Sequence, residues 1–370
     1  MPGALRVSGG LATTGTTGKL ATTDSTQTAD LGIELLFDPG RGREASRRAA
    51  AAGEAAAAAA GTRLFLIGEV SNAYLTLRYD QRRLGLAQAD AGRQRKTLTL
   101  ARKLAEGGQG TKIETLRSQA RIASLEADMP GLEAAIATDL AKLAILARDA
   151  PGALPADMMA ALMKSSGRPR ANMAPDPGIP ADLIRNRPDI RAAEARYDAA
   201  CSALGQAHAA LYPSLSLSGT IQLERLTLGR ASSSGSVLSV GPNLRLPALP
   251  QGPARASISA GASQLEAAYA DWTSAVLKGL YEVEAALLDY RAAVRSETAA
   301  DRAVTLHGQA RSLMRDAAAA GESTLGDLIA VEDALAAAET VQASARLNRA
   351  RSFAQLNIRL GAGTQPDTAH

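Results

Sequence analysis

The chain has 370 residues, of which 46% are hydrophobic but only 3% aromatic, and its 41 basic and 37 acidic side chains leave a formal net charge of +4. Interleaved charges of that balance carry no polyelectrolyte signature for nucleic acid, and an apolar fraction made largely of alanine suits helices packed closely along their length better than a thick globular core. Cys201 is single, so no intramolecular disulfide is available.

The start, Met1-Pro2-Gly3-Ala4-Leu5-Arg6, has no basic n-region, apolar h-region or small-residue cleavage site. No uninterrupted apolar run reaches the roughly 18 residues of a transmembrane helix. Within 1–40, Leu5, Val7 and Leu11 alternate in one segment and Leu31, Ile33, Leu35 and Phe37 in another, which predicts a pair of strands. Residues 41–150 predict a long helical hairpin. Its first helix, 41–104, would be roughly 96 Å long at about 1.5 Å per residue. The turn is Gly107-Gly108-Gln109-Gly110, and Leu125, Met129, Leu132, Ile136, Leu140 and Leu143 form the seam of the returning helix, where Pro130 should introduce a kink.

The segment 151–181 is proline-rich and predicts an irregular crossing: six of the chain's 16 prolines fall between Pro151 and Pro180. A helix over 182–210 follows, with Asn186 as its cap, Pro188 in its first turn and Asp189 at the positive end of its dipole. The next strand pair occupies 211–250. Leu215, Leu217, Gly219, Ile221 and Leu223 alternate with Ser214, Ser216, Ser218, Thr220 and Gln222, and the phase changes at Leu226 and Leu228. A turn at Ser232-Ser233-Ser234-Gly235 leads to a strand with Leu238, Val240, Leu244 and Leu246 on one face. Residues 251–361 repeat the hairpin. Leu265, Tyr269, Trp272, Val276, Leu280, Val283, Leu287, Tyr290 and Val294 recur at coiled-coil steps of three and four, and Ala320-Gly321-Glu322-Ser323 makes the turn. A disordered tail is expected over 362–370.

The two halves are copies in a constant register. Leu64 returns 213 residues later as Leu277, and Glu69, Leu75, Arg78, Gly108, Thr111 and Ile145 return as Glu282, Leu288, Arg291, Gly321, Thr324 and Ile358. A fixed offset through leucines, glycines and charges marks a duplicated unit. Strand pairs flanked by helices this long cannot bury their apolar faces alone, so other copies must complete them. Polar-in, apolar-out alternation is what a membrane barrel requires, although a soluble antiparallel sheet alternates in the same way.

No catalytic constellation is present. His208, His307 and His370 lack a zinc-protease context, and there is no Walker loop, nucleophile elbow or paired-cysteine motif, so neither an enzyme nor a cofactor is expected. The hairpin turns are the better functional candidates, because only the tips of a helical tunnel can constrict it. Gly108, Gly110, Gly321 and Ser323 would allow close approach of a partner hairpin. Thr111 and Thr324 each precede an acid by three residues, Glu114 and Asp327. These acids could equally be ordinary helix-start carboxylates favoured by the dipole. Arg41, Arg43, Arg47 and Arg48 could meet lipid headgroups or form a solvated face.

The stretch 179–217, IPADLIRNRPDIRAAEARYDAACSALGQAHAALYPSLSL, closely resembles a segment of the outer-membrane efflux factors of the TolC and NodT type, through Arg187, Pro188, Asp189, Glu194, Gly205, Tyr212 and Pro213. The resemblance continues through Tyr269, Glu282-Val283-Glu284 and the turn 321–328, and covers nearly the whole chain. It implies a mainly helical fold with membrane strands, in which a homotrimer shares one twelve-stranded barrel in outer-membrane lipid and a periplasmic helical tunnel. It implies a passive efflux duct, with a periplasmic adaptor (membrane fusion protein) and an inner-membrane RND transporter as partners. Asp327 matches a turn aspartate near the family's periplasmic constriction, but Ala330 stands where the family can have a second one, which weakens an acidic ring of that type. A lipid-anchored N-terminal cysteine is common in the NodT branch. Compared with that pattern, the first repeat is expected to lack its leading helix, signal peptide and anchor cysteine through truncation. The rival expectation is a non-conducting coiled-coil oligomer or a pseudogene product.

Overall fold

The computed structural model describes residues 4–17, 23–37, 41–107, 111–147, 150, 154–164, 186–228, 231–247, 249–320 and 322–362. In chain order they form β1 (Ala4–Thr17), β2 (Thr23–Phe37), α1 (Arg41–Glu106), α2 (Lys112–Leu146), α3 (Ala156–Met163), α4 (Pro188–Ala209), β3 (Ser214–Leu228), β4 (Ala231–Arg245), α5 (Gly252–Ala320) and α6 (Leu325–Arg359). The contacts divide the chain into two compact units, one made of Met1–Ala57 with Asp189–Ala275, the other of Ala58–Pro188 with Val276–His370.

The first unit holds all four strands in one antiparallel sheet of order β1-β2-β3-β4. β2 of the first repeat pairs directly with β3 of the second, Leu35 opposite Leu217 and Leu31 opposite Ile221. Because side chains alternate along a strand, the register places Val7, Ile33, Gly219 and Val240 in one row across the sheet, and Leu31, Ile221 and Leu238 in another. On β3 and β4 this face is bare: Ile221 is 41% and Leu238 69% exposed. The serines of β3 occupy the opposite face.

One detail of this sheet differs from the sequence expectation. Ser232 to Gly235 are not a turn; they already pair with β3, Ser232 opposite Thr227 and Gly235 opposite Glu224. A continuous hydrogen-bonded ladder outweighs the poor strand propensity of serine and glycine, which depends on context.

Helices in the same unit are tied by small residues and one aromatic cluster. Gly53 of α1 lies against Ala195 of α4, and Gly261 of α5 against Leu204. Tyr197, Tyr269 and Trp272 pack with ring centroids 5.9 to 6.3 Å apart. Arg196 Nε reaches Glu54 Oε1 at 2.6 Å.

The second unit is helical among its described residues. Ala73 and Leu77 of α1 and Ile136 and Leu143 of α2 form one core cluster, so the leucine seam expected in the returning helix is where α2 buries its apolar stripe. α2 continues through Pro130 as a single helix. Pro130 is exposed, which leaves the carbonyl it frees open to water. Within the segment expected to be irregular, Ala156–Met163 is a helix. Its terminal carbonyls are claimed from α1: Arg78 donates to the carbonyl oxygens of Ala161, Leu162 and Lys164 at 3.2, 3.0 and 2.8 Å, and Gln81 to that of Leu162 at 2.9 Å. These are the groups that a helix C-terminus leaves without partners. One 18-residue window of α1 reaches a mean hydropathy of 1.2, enough by length and composition for a membrane span. Alanine makes up most of 49–60 in that helix.

Candidate functional site

Both hairpins restart their second helix with the same device. Thr111 Oγ1 accepts from the Glu114 amide at 3.3 Å, and the Glu114 carboxylate accepts from the Thr111 amide at 3.1 Å. Thr324 and Asp327 repeat this at 3.2 and 3.3 Å, with a further 2.6 Å bond from the Thr324 hydroxyl to Asp327 Oδ2. Each is a reciprocal capping box that satisfies two backbone donors. The repeated acids are therefore held by their own helix starts. Thr324 and Asp327 remain exposed, so the carboxylate still faces solvent. Ser323 is half-buried and its hydroxyl has no partner in the structure. Gly108, Gly110 and Gly321 lie outside the described residues.

Behind the second tip lies a small apolar cluster, Ala101 of α1 with Ala318, Leu325, Leu328 and Ile329. A polar layer follows that sequence reasoning missed. Glu332 is 1% exposed and accepts from Thr97 Oγ1 at 2.9 Å and from Arg311 Nε at 3.1 Å. One step further along, Arg93 Nη2 reaches Glu339 Oε2 at 2.8 Å and Asp90 at 3.4 Å, and Arg121 lies between Asp90 and Asp333 at 3.3 and 3.0 Å. Four helices are thus cross-linked by charge just inside the tip. Leu325, Leu328, Glu332, Leu335, Glu339 and Gln342 recur at steps of three and four, so a charged residue at a seam position was the available signal.

The family-motif residues fall into two groups. At the head of α4, Arg187 is 5% exposed and donates to Glu282 Oε2 at 2.7 Å and to the Arg359 carbonyl at 3.0 Å, while Arg359 reaches the same carboxylate at 3.0 Å. This joint pins the C-terminal end of α6 to α5. Pro188 opens α4, and Asp189 Oδ1 accepts from the Ile190 amide at 3.0 Å. In the first unit, Gly205 receives the Arg43 side chain so closely that an added Cβ would sit 2.7 Å from Arg43 Cδ, and Arg43 donates to the Gly205 carbonyl. Glu194 lines an open cleft between α1 and α4 together with Asp198 and Cys201. Pro213 immediately precedes β3, and Tyr212 is 66% exposed beside it. Of these residues, Arg187 and Gly205 sit at close joints of the scaffold.

Among the described residues no cluster of three or more His, Cys, Asp or Glu side chains is placed to hold a metal ion. What the arrangement offers is a helical scaffold with capped, acid-bearing tips and a sheet with one bare apolar face.

The family described as "Outer membrane efflux protein" matches residues 4–147 and 179–362. Nodulation protein T of Rhizobium leguminosarum bv. trifolii is 32% identical over 371 aligned residues, which take in 98% of this chain and 78% of that protein. Among solved structures, the outer-membrane channel OprN is similar with a TM-score of 0.76 and 27% identity, over 98% of this chain and 82% of that one. The Neisseria gonorrhoeae MtrE outer membrane channel, in its open state, is similar with a TM-score of 0.75 and 25% identity, over 99% of this chain and 82% of that one.

Proposed function

The chain belongs to the outer membrane efflux protein family and is an outer-membrane channel component of an efflux system, and from that premise we propose that three copies close into a passive duct. The observation that carries the reading is the sheet. Four strands of 14 or 15 residues form one sheet whose β3 and β4 expose apolar side chains on one face, and its edges β1 and β4 each have a single neighbour among the described residues. In lipid every backbone group needs a partner, so such edges must pair with each other through further copies. Three copies would give twelve strands, with the apolar face toward lipid and the serine face toward the lumen.

The duct has no energy source of its own, and the driving step belongs to an inner-membrane transporter of the RND class, coupled through a periplasmic adaptor. The capped tips are where that adaptor docks. Thr111, Glu114, Ser323, Thr324 and Asp327 present polar groups there, and Gly108, Gly110 and Gly321 neighbour them in the sequence. Outer-membrane lipid is the remaining partner.

The test is reconstitution of the purified chain in a planar bilayer. Stable, voltage-independent conductance from an assembly of three chains is expected. A water-soluble species that neither inserts nor conducts would overturn the duct, and would favour a coiled-coil oligomer instead.

A further inference from the structure

Behind the tip of the first hairpin two polar side chains are sealed inside the chain. Gln94 of α1 and Ser118 of α2 are both 0% exposed. Gln94 Nε2, Gln94 Oε1 and Ser118 Oγ have no hydrogen-bond partner among the described residues. Neighbouring contacts fix their level. Asp90, Gln94 and Thr97 recur at steps of four and three along one stripe of α1, on which Asp90 meets Arg121 of α2 at 3.3 Å and Thr97 meets Glu332 of α6 at 2.9 Å. Ser118 stands three residues nearer the tip than Arg121, as Gln94 stands four residues nearer than Asp90. The antiparallel arms therefore bring Gln94 and Ser118 to one height, between the Asp90 and Glu332 layers.

Buried polar groups in folded proteins are paired with few exceptions, so these three atoms call for a ligand. The chemistry of the donor set says which kind. The buried carboxylates nearby are already satisfied, Glu332 by Thr97 and Arg311, and Asp90 by Arg93 and Arg121, so neither draws a counter-ion. Gln94 presents a donor and an acceptor together. A cation would serve Oε1 and leave Nε2 unpaired, and an anion would do the reverse; water serves both, and a serine hydroxyl bonds water in either role. Both ends of the amide are unpaired, so exchanging them alters nothing. Ser118 also differs from its neighbours on α2. Ser124 and Thr138 turn their hydroxyls back onto the carbonyls of Ala120 and Ala134 at 3.1 and 2.9 Å, and Ser118 does not.

We propose that Gln94 and Ser118 bind ordered water enclosed between α1 and α2, and that this water joins the two arms of the first hairpin at that height. Apolar clusters lie to either side, around Ala101 and Leu328 toward the tip and around Leu77 and Ile136 away from it, so the hydrated level separates two dry ones. The site belongs to the first repeat alone. Shifted by 213 residues, Gln94 and Ser118 become His307 and Val331, and valine has no polar group to offer. Both residues are enclosed by their own chain, so the site is complete in each copy whether or not copies assemble.

A crystal structure of the full chain that resolves ordered solvent should show density within hydrogen-bond distance of Gln94 and Ser118. Its absence there overturns the site. Melting of the purified protein in detergent gives a second reading, through its sign. If water is bound, Gln94→Leu deprives it of its main partner and strands Ser118, so the midpoint should fall by a few degrees, and adding Ser118→Ala should recover part of the loss. In a dry site the same change removes an unpaired amide, and a midpoint that rises with Gln94→Leu overturns the proposal. Gln94→Met, unbranched like glutamine, replaces the leucine variant if that one does not fold, with the same two outcomes. Exchanging sodium chloride for choline chloride or sodium gluconate at constant ionic strength should leave the difference between parent and variant unchanged. A difference that vanishes with loss of sodium or of chloride overturns water in favour of that ion.

Discussion

Glu332 shows how much a single residue contributes here. Its carboxylate is almost fully enclosed, yet it takes hydrogen bonds from two other helices, Thr97 on α1 and Arg311 on α5. Removing one partner of a buried pair leaves an uncompensated charge, at a cost of roughly 3 to 5 kcal/mol. Arg311→Ala should therefore lower the denaturation midpoint of the purified protein clearly, whereas Arg311→Leu combined with Glu332→Leu should restore most of the loss, because a packed apolar pair avoids burying a charge. Equal midpoints for Arg311→Ala and the parent would show that water reaches Glu332. Gly361 makes a different point at the same scale. Its φ is +75°, and an added Cβ would fall 2.6 Å from the Asn186 carbonyl oxygen, so only glycine fits where α6 ends against the start of α4. Sequence reasoning could have flagged Glu332 as a charge in a leucine seam. It had no route to the meeting of Gly361 and Asn186, which are far apart in the chain and joined only by the fold.

The pairing of α1 with α2 carries a pH dependence. Asp80 of α1 is 9% exposed, and Asp139 of α2 beside it has one carboxyl oxygen, Oδ2, buried. Burial raises the Asp139 carboxyl above its ordinary value, and the Asp80 charge raises it further, against the opposing pull of Lys142 on α2 and Arg351 on α6. A group whose folded-state value is raised favours the protonated form. Its contribution to stability is complete below the ordinary aspartate value of about 3.9 and is lost as the pH rises through the raised one. Asp139→Asn should thus melt higher than the parent at neutral pH, and the advantage should shrink as the pH falls toward about 4. An advantage that does not change with pH would assign the effect to packing. At this scale the repeat made most of the elements legible: alternation announced the strands, and the Thr-x-x-acid spacing, read only as helix-start acids, was the signal of both capping boxes. The short α3 was hidden for a physical reason. Pro155 precedes it, and its last carbonyls are held by Arg78, whose partners are 83 to 86 residues away.

For the whole molecule the decisive question is which sheet face meets lipid. Strands of 14 or 15 residues rise about 50 Å at ~3.3 Å each, more than the roughly 30 Å hydrocarbon core requires, so their central residues lie at its middle whatever the tilt. Leu238 is the midpoint of β4 and pairs with Ile221, the midpoint of β3, on the apolar face; Ser239 beside it points to the opposite face. An arginine on the lipid face at mid-membrane costs about 2 to 4 kcal/mol, whereas one facing a water-filled lumen costs little. Leu238→Arg should therefore sharply reduce the fraction of chain that floats with liposomes. Ser239→Arg should insert normally and instead change the ion selectivity of the conductance, because its charge would sit in the lumen. Aromatic girdles are scarce in these strands, with Tyr212 exposed just before β3, so the alternation of leucine and serine rather than a ring of aromatics must set the sidedness. If Leu238→Arg inserts and Ser239→Arg does not, the serine face is the one turned toward lipid, and a barrel enclosing a polar lumen is ruled out.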